Sequence, residues 1–133
     1  MHEKNMRFGD YIRKKRLDDP RELTMLNVAE HLGLSLSYIS SIENKRKPPF
    51  GGDKLEELAK FLNLSEEETA WMFDLASRET RGVPYDIEDT FMYEKIGEMA
   101  RYALRQSKAG FIEEEDWKTF IRQMEEKKKK EDG

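Results

Sequence analysis

Apolar side chains recur along this chain at three- and four-residue intervals, the spacing of one face of an α-helix. The pattern predicts a first helix over residues 6–17, with Phe8, Tyr11 and Ile12 on one side. The turn Asp18-Asp19-Pro20-Arg21-Glu22 ends it, because Pro20 cannot continue a helix and the Asp pair favours local side-chain bonds. Further on, Gly51-Gly52 allow a sharp reversal. Asp53 with Glu56 then forms the start signal of a fourth helix through about Leu62, whose core stripe is Leu55, Leu58, Ala59 and Leu62. Ser65 with Glu68 repeats that signal for a fifth helix to about Arg78, with Trp71, Met72, Leu75 and Ala76 inward.

Between the first and fourth helices lies MLNVAEHLGLSLSYISSIEN, residues 25–44. Val28, Ala29 and Leu32 share one face of a short helix, and Ile39 and Ile42 share one face of another. Gly33 can take the left-handed backbone of a tight turn, Ser35 can cap the second helix, and Ala29 lets the two cross closely. This spacing is that of a helix-turn-helix, which presents one helix to a groove. With the two isoleucines defining the buried direction, Ser37, Ser40, Ser41 and Asn44 project to the opposite side and Leu36 sits at its flank. Short hydroxyls and amides let a helix lie deep in a major groove, and an apolar tip can meet a thymine methyl.

The run L-T-x-x-x-V-A-E-H-L-G-L-S-x-S-Y-I-S-S-I-E-N-x-R-K-x-P, from Leu23 to Pro49, resembles the phage-repressor (Cro/cI-like, XRE) helix-turn-helix family. The resemblance extends over roughly residues 5–80 and implies an all-α fold, a five-helix lambda-repressor-like domain. It implies base reading by Leu36, Ser37 and Ser41, to which the outward face of the helix adds Ser40, and phosphate binding by Asn44. It also implies an ion pair between Arg16, ending the first helix, and Glu43. Met25 stands where the family usually has a Gln that touches the DNA backbone. Lys45 occupies the usual Gly position, where a left-handed backbone costs a lysine about 1 kcal/mol. The connection from Arg16 to Thr24 is also longer than in the shortest members. Lys45, Arg46 and Lys47, on a loop stiffened by Pro48 and Pro49, are assigned to phosphates, as is Thr24, which also caps the first motif helix. Arg13, Lys14 and Lys15 are phosphate contacts or solvated charges.

Past Thr80 the character changes, and the domain boundary is drawn there, 1–80 against 81–133. Gly82-Val83-Pro84 reads as a hinge, and Asp86 to Asp89 open a helix to about Gln106 bearing Met92, Ile96, Met99, Ala100 and Ala103. Ser107 to Gly110 break it. Phe111 and Ile112 lead to a last helix, Glu113 to about Lys127, with Trp117, Phe120, Ile121 and Met124 in line, and Lys127 to Lys130 form a frayed, solvated end. This two-helix appendage exposes too much aromatic surface to stand alone. The expectation is that residues 84–124 form a homodimer, with Met92, Ile96, Met99, Trp117, Phe120 and Ile121 at the interface. The competing expectation is an antitoxin or immunity-type repressor whose acidic residues, Asp86, Glu88, Asp89 and Glu113 to Asp116, hold a basic protein partner such as a toxin or protease.

The net charge of −4 argues by itself against a nucleic-acid binder, but its distribution reverses the inference. Residues 1–60 hold 12 Lys+Arg and 10 Asp+Glu, whereas residues 61–133 hold 12 and 18. Phosphate neutralisation acts over about a Debye length, so a local positive surface suffices and the acidic half is expected to face away from a duplex. With no cysteine, disulfide scaffolds, thiolate zinc sites and cysteine nucleophiles are excluded. His2 and His31 have no partner cluster, and no cofactor or metal is expected. No Gly-rich phosphate loop or nucleophile elbow is present, so no enzymatic activity is expected. No apolar run approaches the ~20 residues of a membrane span, and Met1-His2-Glu3-Lys4 leads into no signal-peptide core, so a cytoplasmic protein without membrane contact is expected.

Overall fold

The structure is a computed structural model that describes residues 5–132; His2, weighed above as an imidazole, lies outside them. Every regular element among the described residues is helical: α1 (Phe8–Asp18), α2 (Met25–Leu32), α3 (Leu36–Glu43), α4 (Gly52–Phe61), α5 (Glu66–Thr80), a 3-10 turn (Tyr85–Ile87), α6 (Glu88–Tyr93), α7 (Lys95–Lys108) and α8 (Glu114–Asp132). The chain divides into two compact units, Met1–Glu88 and Asp89–Gly133.

Local chemistry sets most boundaries in the first unit. Thr24 Oγ1 accepts the Asn27 N–H at 3.1 Å while Asn27 Oδ1 accepts the Thr24 N–H at 2.9 Å, a reciprocal cap that starts α2. At its end Gly33 takes φ 68°, and the Leu34 N–H turns back to the Ala29 carbonyl at 2.9 Å. Ser35 Oγ then accepts the Tyr38 N–H at 3.1 Å and α3 begins. Ser65 and Glu68 form the same reciprocal cap on α5. In the turn after α1, Asp19 accepts three bonds from Arg21, and these hold its carboxyl down to about 2.

The head of α4 departs from expectation. Gly51 is its N-cap and no side chain caps it; Asp53 instead accepts the Tyr85 phenol at 3.3 Å. Gly51 and Gly52 use no left-handed backbone for the reversal. Gly52 has a tertiary reason: a Cβ there would collide with the Tyr85 ring, which stacks on Phe73 at 6.0 Å. Because Tyr85 is held in this way, residues 81–88 belong to the first unit, and the boundary lies at 88/89 rather than 80/81.

Helix α3 packs on α1 and α2, α5 on α1 and α4, and α4 on α2. The largest wholly enclosed side chains are Phe8, Leu32, Ile39, Ile42, Leu58, Met72 and Leu75, and full burial of each contributes on the order of 1.5–3 kcal/mol. Ala29 is buried as the close crossing requires, and Trp71 is a core residue with Arg78 over its ring at 4.6 Å. A second close crossing carries no sequence signal. At Gly9, where α1 meets α3, an added Cβ would collide with the Ile42 carbonyl oxygen and lie 3.0 Å from that of Glu43.

The second unit has three helices where the pattern gives two. The helix expected from Asp86 to Gln106 breaks at Glu94, which has φ −100° and ψ 160°. The break lets Gly97 pack directly on the Thr90 and Phe91 carbonyls, an approach that any side chain would block. Arg101 donates to that same Phe91 carbonyl. The basic run Lys127–Lys130, expected to fray, is exposed but helical, and α8 extends to Asp132.

Burial, and then the charges of Glu68 and Glu67, push the Tyr11 phenol up to about 12. Its O–H donates to the Glu68 carbonyl at 3.2 Å. A tyrosine with a higher pKa folded than unfolded adds stability that is complete below its unfolded value of about 10. That stability is lost as pH rises from there through the folded value. Denaturant midpoints should therefore fall between pH 10 and about 12, and the fall should be shallower in Tyr11→Phe. Equal slopes for the two proteins would contradict this assignment.

Candidate nucleic-acid interface

Helix α3 is held from behind and open in front. Ile39 and Ile42 are 0% and 1% exposed. Counting about 100° per residue from their mean direction, Ser37 and Asn44 lie at the centre of the outer face and Ser40 and Ser41 at its shoulders. The exposures follow that geometry: Ser37 and Asn44 are exposed, Ser40 and Ser41 half-buried. Leu36, at the N-terminal flank, is 46% exposed. Asn44 Nδ2 donates to Ser40 Oγ at 3.3 Å, so these two short polar groups are already positioned by each other. Thr24, at the head of α2, spends its oxygen as an acceptor in the cap, which leaves its hydroxyl hydrogen to donate elsewhere.

The brace behind the helix includes a charged pair. Arg16 Nε and Nη2 donate to the Glu43 carboxylate at 2.8 and 2.9 Å, and Nη1 donates to the Leu23 carbonyl at 3.0 Å. Both residues are buried. The bonds to Glu43 hold the Arg16 pKa above its ordinary value. Through this fork the C-terminal ends of α1 and α3 and the start of the motif are tied at one point. Among the described residues, no buried side-chain polar atom lacks a partner.

Beyond α3 the chain turns through Lys45, whose φ of 61° is left-handed, and the Arg46 N–H reaches back to the Ser41 carbonyl at 2.8 Å. Lys45 Nζ lies 2.7 Å from Asp10, whose carboxyl it holds below the usual range, and Lys47 lies over the Tyr38 ring at 5.3 Å. Lys45, Arg46 and Lys47 line a recess that also takes in Arg7, Arg78 and Arg81. Its acid, Glu79, pairs with Arg7 and accepts the Phe8 N–H at 2.9 Å at the head of α1. The basic surface thus continues from the loop to the ends of α1 and α5. Arg7, Arg78 and Arg81 were missed by sequence reasoning, because nothing in their local pattern marks them and only the fold gathers them.

The remaining candidates are scattered. Arg13 and Lys14 are exposed, while Lys15 pairs with Glu68 and lies over the Tyr11 ring. His31 is exposed and stacks on Phe61 at 4.2 Å. Met92, Ile96, Met99, Phe120 and Ile121 of the second unit are exposed, and Trp117 is half-buried. No helix among the described residues is long and apolar enough to cross a membrane.

Residues 12–68 match the family model described as Helix-turn-helix. Comparison with curated proteins and with solved structures gives no match.

Removing one member of the buried pair should cost far more than removing both. Arg16→Ala strands the Glu43 carboxylate and should destabilise the protein by roughly 3–5 kcal/mol, whereas Arg16→Met with Glu43→Leu should recover most of that loss. Urea denaturation of the two variants measures the difference, and equal losses would count against a pair that acts as a unit.

Proposed function

This protein carries a helix-turn-helix domain of the phage-repressor-like (Cro/cI, XRE) family and is a DNA-binding transcriptional regulator, and we propose that it represses by binding an inverted repeat as a dimer. The observation that supports this most is the outer face of α3. Ser37 and Asn44 stand open to solvent between Leu36 and the half-buried Ser40 and Ser41, over a brace made of two buried isoleucines and the Arg16–Glu43 pair. In this reading Leu36, Ser37, Ser40 and Ser41 meet base edges. Asn44, Lys45, Arg46, Lys47 and Thr24 meet phosphates, and Arg7, Arg78 and Arg81 extend the positive track.

The exposed apolar side chains of the second unit supply the reason for a dimer: Ile96, Met99 and Phe120 are each more than half exposed. A two-fold pair presents two reading helices about one duplex turn apart, ~34 Å, to the halves of a symmetric operator. The same surface also supports a second reading, an antitoxin- or immunity-type repressor that covers it with a basic protein, since Glu113 to Asp116 stand exposed beside it.

Selection of bound sequences from a random duplex pool should return an inverted repeat; a single asymmetric site would remove the dimeric reading while leaving the DNA-binding one. Ser37→Trp or Ser41→Trp should reduce binding to the selected site by more than binding to unrelated DNA. Arg46→Ala with Lys47→Ala should weaken both alike and flatten log K against log salt by about one unit for each phosphate no longer neutralised. Equal loss of specificity from the helix face and the loop would contradict the division between base reading and phosphate binding.

A further inference from the structure

Helix α8 is almost wholly uncovered. Along its length only Trp117 is half-buried, its indole N–H donating to Ser107 Oγ at 2.8 Å. Phe120, Ile121 and Met124 are 64%, 47% and 41% exposed. Three large apolar side chains this exposed on one 19-residue helix call for a cover.

The charges along α8 identify that cover. Four acids, Glu113 to Asp116, stand at its head and four lysines, Lys127 to Lys130, near its tail. The macrodipole accounts for the acids at the head; at the tail the lysines lie between Glu125 and Glu126 on one side and Glu131 and Asp132 on the other. Glu114, Ile121 and Lys128 are spaced by seven, which places them in one stripe along the helix, beside Phe120 and Met124. The intrachain partner available to the acids is weak, Lys118 at 4.0 Å from Glu114 and 3.6 Å from Glu115, all three exposed.

We propose that α8 pairs antiparallel with α8 of a second copy of this chain, about a two-fold axis at Ile121. Ile121 then meets its own copy, Phe120 and Met124 close the seam, and each Glu114 faces Lys128 of the other copy. A parallel pair would instead set Glu114 on Glu114 and Lys128 on Lys128, like charge on like at both ends. The proposal rests on the dimeric half of the reading above and is independent of its DNA-binding half.

The test is charge reversal in the full chain, read by sedimentation equilibrium at low salt, with circular dichroism to confirm that helix content is kept. Glu114→Lys alone and Lys128→Glu alone should each raise the dimer Kd about tenfold, because two attractive pairs become repulsive. Combining them in one chain should restore the original Kd, and mixing the two single variants should give a heterodimer. Single variants that dimerise like the parent, or a combined variant that does not recover, would overturn the antiparallel pairing. A parent chain that stays monomeric at micromolar concentration would overturn both this pairing and the dimeric reading. Binding of that monomer to a half-site would show the DNA-binding reading intact.

Discussion

Helix α3 can offer one face outward only because the opposite face is fixed against α1 and α2, and that constraint organises the first unit. Ile39 and Ile42 take the hydrophobic share, buried against α1 and α2. The Arg16 fork on Glu43 takes the polar share, at the end of the helix where a pivot would otherwise form. An all-apolar seat would hold the helix down without fixing its rotation. A bidentate pair is directional, and a buried carboxylate without its guanidinium costs several kcal/mol, so a rolled helix is penalised steeply. Gly9 contributes to the same end, since α1 reaches Arg16 into this position only by crossing the α3 backbone closely.

A chain with a net charge of −4 approaches a polyanion by gathering cations locally. Lys45 to Lys47 follow α3 directly, and the fold brings Arg7, Arg78 and Arg81 to the same recess. Some of its cations are already engaged, Arg7 by Glu79, Lys45 by Asp10 and Lys47 by the Tyr38 ring. Such pairing orders long side chains before any ligand arrives and reduces the entropy lost on binding. A phosphate bound at this recess would compete with a carboxylate at Arg7 and Lys45, and would meet no such rival in the ring beneath Lys47.

The second unit follows a different logic. Its interior contacts are few and local: Gly97 on the α6 carbonyls, Arg101 on Phe91, Trp117 on Ser107. Its apolar stripe is therefore spent outward. A surface of this kind is unfavourable in water, and α8 carries acids at its head and a lysine run near its tail.

Much of this was legible in the sequence wherever the cause is local. The caps at Thr24, Ser35 and Ser65 and the left-handed Gly33 depend on atoms a few residues apart, and the isoleucine spacing defines a face from periodicity alone. Sequence likewise determined which side chains face outward on α3 and, through the family resemblance, the partnership of Arg16 with Glu43 across 27 positions. Tertiary structure alone decided what depends on residues distant in the chain meeting in space. Gly9 has to be glycine because the Ile42 carbonyl is there, and Gly52 because Tyr85 is there. Asp53 leaves a cap for that same phenol, and one expected helix breaks at Glu94 into α6 and α7, with Gly97 packed on the α6 carbonyls. Arginines at 7, 78 and 81 join the loop lysines for the same reason: hydrophobic period reports which way a side chain points from its own helix, whereas which backbone or charge it then meets is fixed only when the helices pack.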